Sequence, residues 1–315
     1  MSRFVDLVAS GVPVLTDGGI ETRIMFETSI EMDPDVQSAS LVSDPDGREA
    51  LRRIHLEYIE AARAFDLPVI LGTPTFRGGA RYAAKARGRV KDVEGLNRDA
   101  VEFMLEVRDR AGYEPVYIAG DIGPSGDAYL PEQALTGEDA VQYHRAQAEA
   151  LAGAGVDFLY APTFPSVAEA EAACVAMAAT GLPHVISYVL GPDGRVLDGT
   201  SIAEAIARID SNPGARPLFH SLSCVHPVAA GKAIAAFRAE APGLTDRLVE
   251  FKANGSPLRT DELVKLDHPA GDDPEPFADE MIELFDSHGM RILGGCCGTR
   301  ETHMRALAAR LAARR

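Results

Sequence analysis

LPVILGT, residues 67–73, is a short apolar run without polar alternation. A strand with one face in water alternates, whereas a run that stays apolar suits a parallel sheet covered by helices on both faces. Directly before it, GREALRRIHLEYIEAARAF (47–65) carries helical periodicity. The same unit recurs on either side. Further runs of this kind are VPVLTDG (12–18), PVYIAGDIG (115–123), DFLYAPT (157–163), PHVISYVL (183–190), PLFHSLSC (217–224), RLVEFKANG (247–255) and MRILGGCC (290–297). Between them lie amphipathic segments with helix starts. Ser166 with Glu169, and Ser201 with Glu204, have capping-box spacing, and ETHMRALAARLAARR (301–315) is periodic. GPDGRVLDG (191–199) reads as a small hairpin or loop, and 22–46 and 255–272 as long polar excursions. Eight strand–helix units predict an α/β fold, a single (β/α)8 TIM barrel spanning residues 1–315 as one domain; such barrels typically take ~250 residues. A doubly wound open sheet satisfies the same pattern, because periodicity does not reveal closure.

Composition narrows the function classes. With 46% hydrophobic and 25% charged residues the chain can bury a core and is not a disordered one. A net charge of −16 argues against nucleic-acid binding, which needs clustered Lys and Arg. There is no 18-residue apolar run to span a membrane and no secretory apolar core at the N-terminus. Four cysteines are too few for a disulfide scaffold, so the cytoplasm is the expected compartment. Neither a Gly-rich dinucleotide fingerprint nor a P-loop is present.

The cysteines then acquire an address. Cys224 ends the sixth run, and Cys296 and Cys297 end the eighth. In a parallel barrel all three emerge at the C-terminal rim, where this fold keeps its active sites. Neighbouring residues on a regular strand point to opposite faces, so two adjacent thiols act together only if the backbone bends, which the flanking glycines permit. Three thiolates with one open position suit a catalytic zinc. A vicinal disulfide between Cys296 and Cys297, or two thiols packed in unrelated directions, fits the same spacing. Cys174, in AEAACVAMAA, reads as a small core residue. His226 is a competing ligand or a cap on the following helix.

TDGGIET (16–22), GTPTFRG (72–78), GDIGP (120–124), PDGRVLDGT (192–200), SCVHP (223–227) and GGCCGT (294–299) follow one another in an order that resembles the homocysteine S-methyltransferase family over nearly the whole chain. The resemblance implies a (β/α)8 barrel with Zn2+ held by Cys224, Cys296 and Cys297. A substrate thiol, homocysteine by default, becomes the fourth ligand and takes a methyl group from a small onium-type donor to give methionine. No side chain is catalytic beyond that zinc-activated thiol. It also implies that Asp17 accepts from the substrate ammonium, that Gly18 and Gly19 let backbone N–H groups approach the substrate carboxylate, and that Thr73, Thr75 and Phe76 face the donor. Asp121 and Asn254 end the third and seventh runs at the same rim. Three thiolates leave the zinc unit net negative, which favours a cationic donor whose charge vanishes as the methyl leaves.

The chain departs from the family pattern in three places. Where the family carries a glutamate at the end of the fourth strand, APTFPS places Pro162. A charge-assisted contact of the kind lost contributes ~1.5–3 kcal/mol. Ser223 replaces an asparagine, and Arg77 stands where Gln or Tyr is usual. These changes around the substrate site leave a different small thiol open as acceptor. A non-enzymatic reading is a zinc-binding or redox-sensing barrel in which Cys296 and Cys297 cycle through a disulfide. The partners expected are a small thiol and a small methyl donor. The Ala-rich helices pack either within the barrel or across the interface of a homo-oligomer.

Overall fold

All eight runs form strands, and the strands close on themselves. The computed structural model describes residues 2–86, 92–258 and 270–315. Its strands are β1 (Val14–Thr16), β2 (Val69–Gly72), β3 (Val116–Asp121), β4 (Phe158–Phe164), β5 (His184–Tyr188), β6 (Phe219–Val225), β7 (Leu248–Ala253) and β8 (Ile292–Gly295). Each pairs in parallel with the next, and β1 also pairs with β8 through Val14–Ile292 and Leu15–Leu293. That last pairing excludes the open sheet. The strands are shorter than the apolar runs because the flanks of each run turn into loops.

Alternation along each strand divides the core in two. Leu15, Leu71, Ile118, Leu159, Ile186, Leu222, Phe251 and Leu293 face outward and join the helices in one continuous apolar layer. Val14, Ile70, Tyr117, Phe158, Val185, Phe219 and Ile292 form a second cluster inside the barrel. Helix α1 (Arg3–Ser10), which the sequence reading did not single out, closes the bottom: Phe4 stacks on Phe158 with ring centroids 3.7 Å apart. Above this plug the interior turns polar, with Thr16, Asp121, Tyr160, Ser187, Ser221, Glu250 and Lys252. Among the described residues, this leaves the C-terminal end of the barrel for a site.

Ser201 and Glu204 form the expected capping box on α8 (Ile202–Asp210). The Ser166 box does not form. Glu169 is fully buried and instead accepts from the Ser125 N–H at 2.7 Å and meets His144 at 3.0 Å, while Asp198 Oδ2 takes the Val167 N–H at 2.6 Å. A buried carboxylate with two other partners outbids a cap. Segment 191–199 is a tight turn closed by an antiparallel Leu190–Val196 bridge. The 22–46 excursion holds most of α2 (Glu21–Glu27) and a 3-10 turn, Ser38–Ser43. Of the 255–272 excursion, 259–269 lie outside the described residues. No helix among the described residues is long and apolar enough to cross a membrane.

Candidate metal centre and barrel mouth

Cys296 and Cys297 lie just beyond the last paired residue of β8, where the backbone turns. The Cys296 N–H donates to Ala253 O at 2.7 Å and Cys297 O accepts from the Gly255 N–H at 2.9 Å, so the turn is fastened to the end of β7. Gly298 takes φ +78°, a left-handed value that a side chain disfavours. Gly294 is required for a different reason: a Cβ there would strike the Thr16 hydroxyl and approach Asp17 O to 2.9 Å. Thr299 Oγ1 accepts from the Gly19 N–H at 3.1 Å and donates to Cys296 O at 2.8 Å, tying this turn to the Asp17–Gly18–Gly19 turn.

Cys224 stands opposite, in β6, with φ +56°. Its carbonyl is held by Asn254 Nδ2 at 3.1 Å. The sulfurs of Cys224, Cys296 and Cys297 lie within 4.8 Å of one another. Cys224 and Cys297 Sγ are 3.8 Å apart, while Cys224 and Cys296 are joined as a disulfide. The vicinal Cys296–Cys297 disulfide is therefore not the one formed. Tetrahedral geometry with Zn–S ~2.3 Å sets sulfurs ~3.8 Å apart, so the Cys224–Cys297 spacing already fits a zinc edge. Reduction of the disulfide would free a third thiol for such an ion. Burial, then the nearby Glu21 charge, pushes the Cys297 thiol up to about 11. Cys174 is fully buried in α7 (Val167–Ala178), as a core residue. His226 precedes α9 (Pro227–Glu240) without capping it; its Nε2 meets Asp272 at 2.7 Å.

Below the thiols, the polar interior is built around two residues the sequence reading passed over. Glu250 and Lys252 alternate on β7 and so share its inner face. Lys252 Nζ donates to Asp17 Oδ1 at 2.6 Å and lies 5.6 Å from the Tyr160 ring centroid. Asp17 Oδ2 accepts from the Gly72 N–H at 2.7 Å. The Asp17 carboxylate, predicted to meet the substrate ammonium, thus has both oxygens engaged and is 2% exposed. Glu250 is equally enclosed, and desolvation raises it to about 7 against the pull of Lys252. Burial also lifts Asp121 well above the usual carboxylate range.

The remaining predicted contacts divide between scaffold and mouth. Gly18 and Gly19 are buried against Tyr58 and Thr299, and the Tyr58 hydroxyl donates to Gly19 O at 2.8 Å. Thr73 Oγ1 accepts from the Asp121 N–H at 2.9 Å and pairs with Thr75 Oγ1 at 2.6 Å. Ser223 is buried; its hydroxyl takes the Thr163 N–H at 2.9 Å and the Ser187 hydroxyl at 2.9 Å. Pro162 is buried within β4, beside Thr163 at φ +61°. Phe76 and Arg77 are partly exposed. The Arg77 guanidinium covers the Tyr82 ring at 5.1 Å, which makes it a stacked rim residue.

Comparison with known proteins agrees with this geometry. The chain is 28% identical over 310 residues to the homocysteine S-methyltransferase of Escherichia coli (strain K12), covering 94% of each. It is 24% identical to a selenocysteine Se-methyltransferase of Brassica oleracea var. italica, covering 98% of this chain and 92% of that one. The solved metallated form of the E. coli homocysteine methyltransferase MmuM shares the fold, with a TM-score of 0.75 at 22% identity over 97% of this chain and 99% of that one. An oxidised form of the same protein gives the same TM-score. The family model for homocysteine S-methyltransferase matches residues 14–311, which takes in the barrel from β1 through all three cysteines, and the chain belongs to that family of methyltransferases.

Proposed function

We propose that the chain is a zinc-dependent S-methyltransferase that moves a methyl group from a small onium-type donor to a small thiol, with homocysteine, the acceptor in the names of its relatives, giving methionine. The observation that carries this is the convergence of three sulfurs from two strand ends at the one open end of the barrel. Cys224, Cys296 and Cys297 would hold the ion. When bound, zinc would keep the acceptor thiol deprotonated at neutral pH, where a free thiol with pKa ~8.5 is mostly protonated.

The chain's own residues shape what surrounds that sulfur. The acceptor sulfur forms the new S–C bond with a lone pair, as the donor's onium–methyl bond breaks and leaves its electrons on the donor atom. Among the described residues, the carboxyl groups of Asp17, Asp121 and Glu250 lie below the thiols beside Lys252, and three thiolates on zinc would leave the centre itself net negative, which suits a cationic donor. The α1 plug and the apolar inner layer keep water out from below.

Metal analysis of the reduced protein and methionine formation from homocysteine, with S-methylmethionine and betaine as donors, test this reading. About one zinc per chain, lost in Cys297→Ser, together with methyl transfer from one of the donors, is the expected result. Absence of zinc from the reduced protein, or of transfer to any thiol, would end it. A second reading, the same chemistry on a thiol other than homocysteine, draws support from Pro162 and from the closed shell of Asp17.

A further inference from the structure

An amino-acid thiol brings an ammonium group into the barrel mouth, and a desolvated ammonium needs an anionic partner. Most of the carboxylates around the thiols do not offer one. Asp17 is 2% exposed, with Lys252 Nζ on one oxygen and the Gly72 N–H on the other. Glu250 is 2% exposed and sits lower on β7 than Lys252. Asp121 is turned toward Gly72, where a Cβ would meet its Oδ2 at 2.6 Å, and its Oδ1 is buried in the barrel interior without a hydrogen-bond partner. Position 162, a proline, has no charge.

Glu21 differs. It is the first residue of α2 and is partly exposed. Its Oε1 accepts from the Ser38 hydroxyl at 2.5 Å, which fixes the side chain while leaving further lone pairs on the carboxylate. Its neighbour Thr22 accepts the Gly298 N–H at 3.3 Å, so the start of α2 abuts the turn that follows Cys297.

We propose that Glu21 is the residue that recognises the α-ammonium group of the acceptor thiol, a step that rests on the methyl-transfer reading above. It heads the helix whose next residue, Thr22, bonds the turn that follows Cys297, and the ammonium of homocysteine is three carbons from the acceptor sulfur. Specificity for an α-amino thiol then comes from the loop after β1, in place of the end of β4.

The test is calorimetric binding of homocysteine and of 4-mercaptobutanoate, the same chain without the ammonium, to zinc-loaded protein. In the wild type, homocysteine binds at least ~10-fold more tightly. Glu21→Gln, which keeps an acceptor for Ser38, removes that preference and changes 4-mercaptobutanoate affinity less than ~3-fold; Glu21→Ala does the same. Equal weakening of both thiols would make Glu21 structural and overturn the proposal, as would unchanged homocysteine binding. Wild-type protein that binds both thiols equally would overturn it while leaving the methyl-transfer reading intact. Protein that binds neither would remove both.

Discussion

Replacing Lys252 by methionine should cost this protein more than any surface substitution, although the volume change is small. The Lys252–Asp17 pair is 2.6 Å long, with side chains 12% and 3% exposed, so little solvent screens it. Removing one partner of such a pair costs ~3–5 kcal/mol, because the other charge stays buried without compensation. Here the orphan would be Asp17, in a mouth that already holds Asp121 and Glu250. At ~2 °C per kcal/mol for a large domain, the melting temperature should fall by ~6–10 °C. Asp17→Asn alone leaves Lys252 unpaired and should cost a similar amount. The double variant, with neither charge of the pair left without the other, should recover at least ~1 kcal/mol relative to the sum of the singles. Urea denaturation of all four proteins at pH 7.5, in one metal state, measures this cycle. A Lys252→Met loss below ~1 kcal/mol, or additive effects, would refute the view that the pair is closed and dry.

Three further outcomes follow from the same interior. Glu250 holds its proton up to about 7, above the ordinary 4.5, so the native state binds the proton more tightly than the unfolded chain; that contribution is present below pH ~4.5 and lost as pH rises toward 7. Its total is ~3 kcal/mol, and Glu250→Gln should flatten the fall in unfolding free energy between pH 5 and 8 by most of that amount. Gly294→Ala sets a methyl group against Thr16 and Asp17 O and should destabilise the fold by ~1–3 kcal/mol in thermal melts. Asn254→Ala removes the donor to Cys224 O; chelator competition should show zinc affinity reduced ~10–100-fold, as for other residues that orient metal ligands.

The barrel was legible because LPVILGT and its counterparts stay apolar across both faces, and covered parallel strands are the solution that buries such runs. Closure was not, because the Val14–Ile292 contact joins residues at opposite ends of the chain. The three-cysteine cluster was legible from cysteines at strand ends. Glu250 and Lys252 carried a readable anomaly, two charges at i and i+2 in an otherwise apolar strand, which on β7 means two charges inside the barrel. Their partner was hidden, since Asp17 lies 235 residues away. Ser166 failed as a cap because spacing records what Glu169 can reach and nothing of the His144 and Ser125 groups that compete for it.

Least legible was the means by which the sulfurs converge. On β6, Leu222 faces the outer helices, so a regular strand would send Cys224, two residues on, outward as well. On β8, Leu293 faces outward, and Cys297, four residues on, would follow it. Cys224 is redirected by left-handed backbone of its own, at φ +56° within a register shift between Ser223 and Val225, whereas Cys297 lies past the end of β8 in the turn that Gly298 continues at φ +78°. The glycine is visible in the sequence; the strained cysteine is not. A non-glycine residue in that region costs ~1–3 kcal/mol and persists only where its surroundings hold it. Asn254 holds the Cys224 carbonyl from β7's end, and Ser223, just before it, is locked to Thr163, another non-glycine residue at positive φ, at a matching shift in β4. Ser223 and Asn254 therefore act on the site through the backbone of Cys224. The strain they sustain is what separates a thiol lost among the helices from one that completes a three-sulfur site.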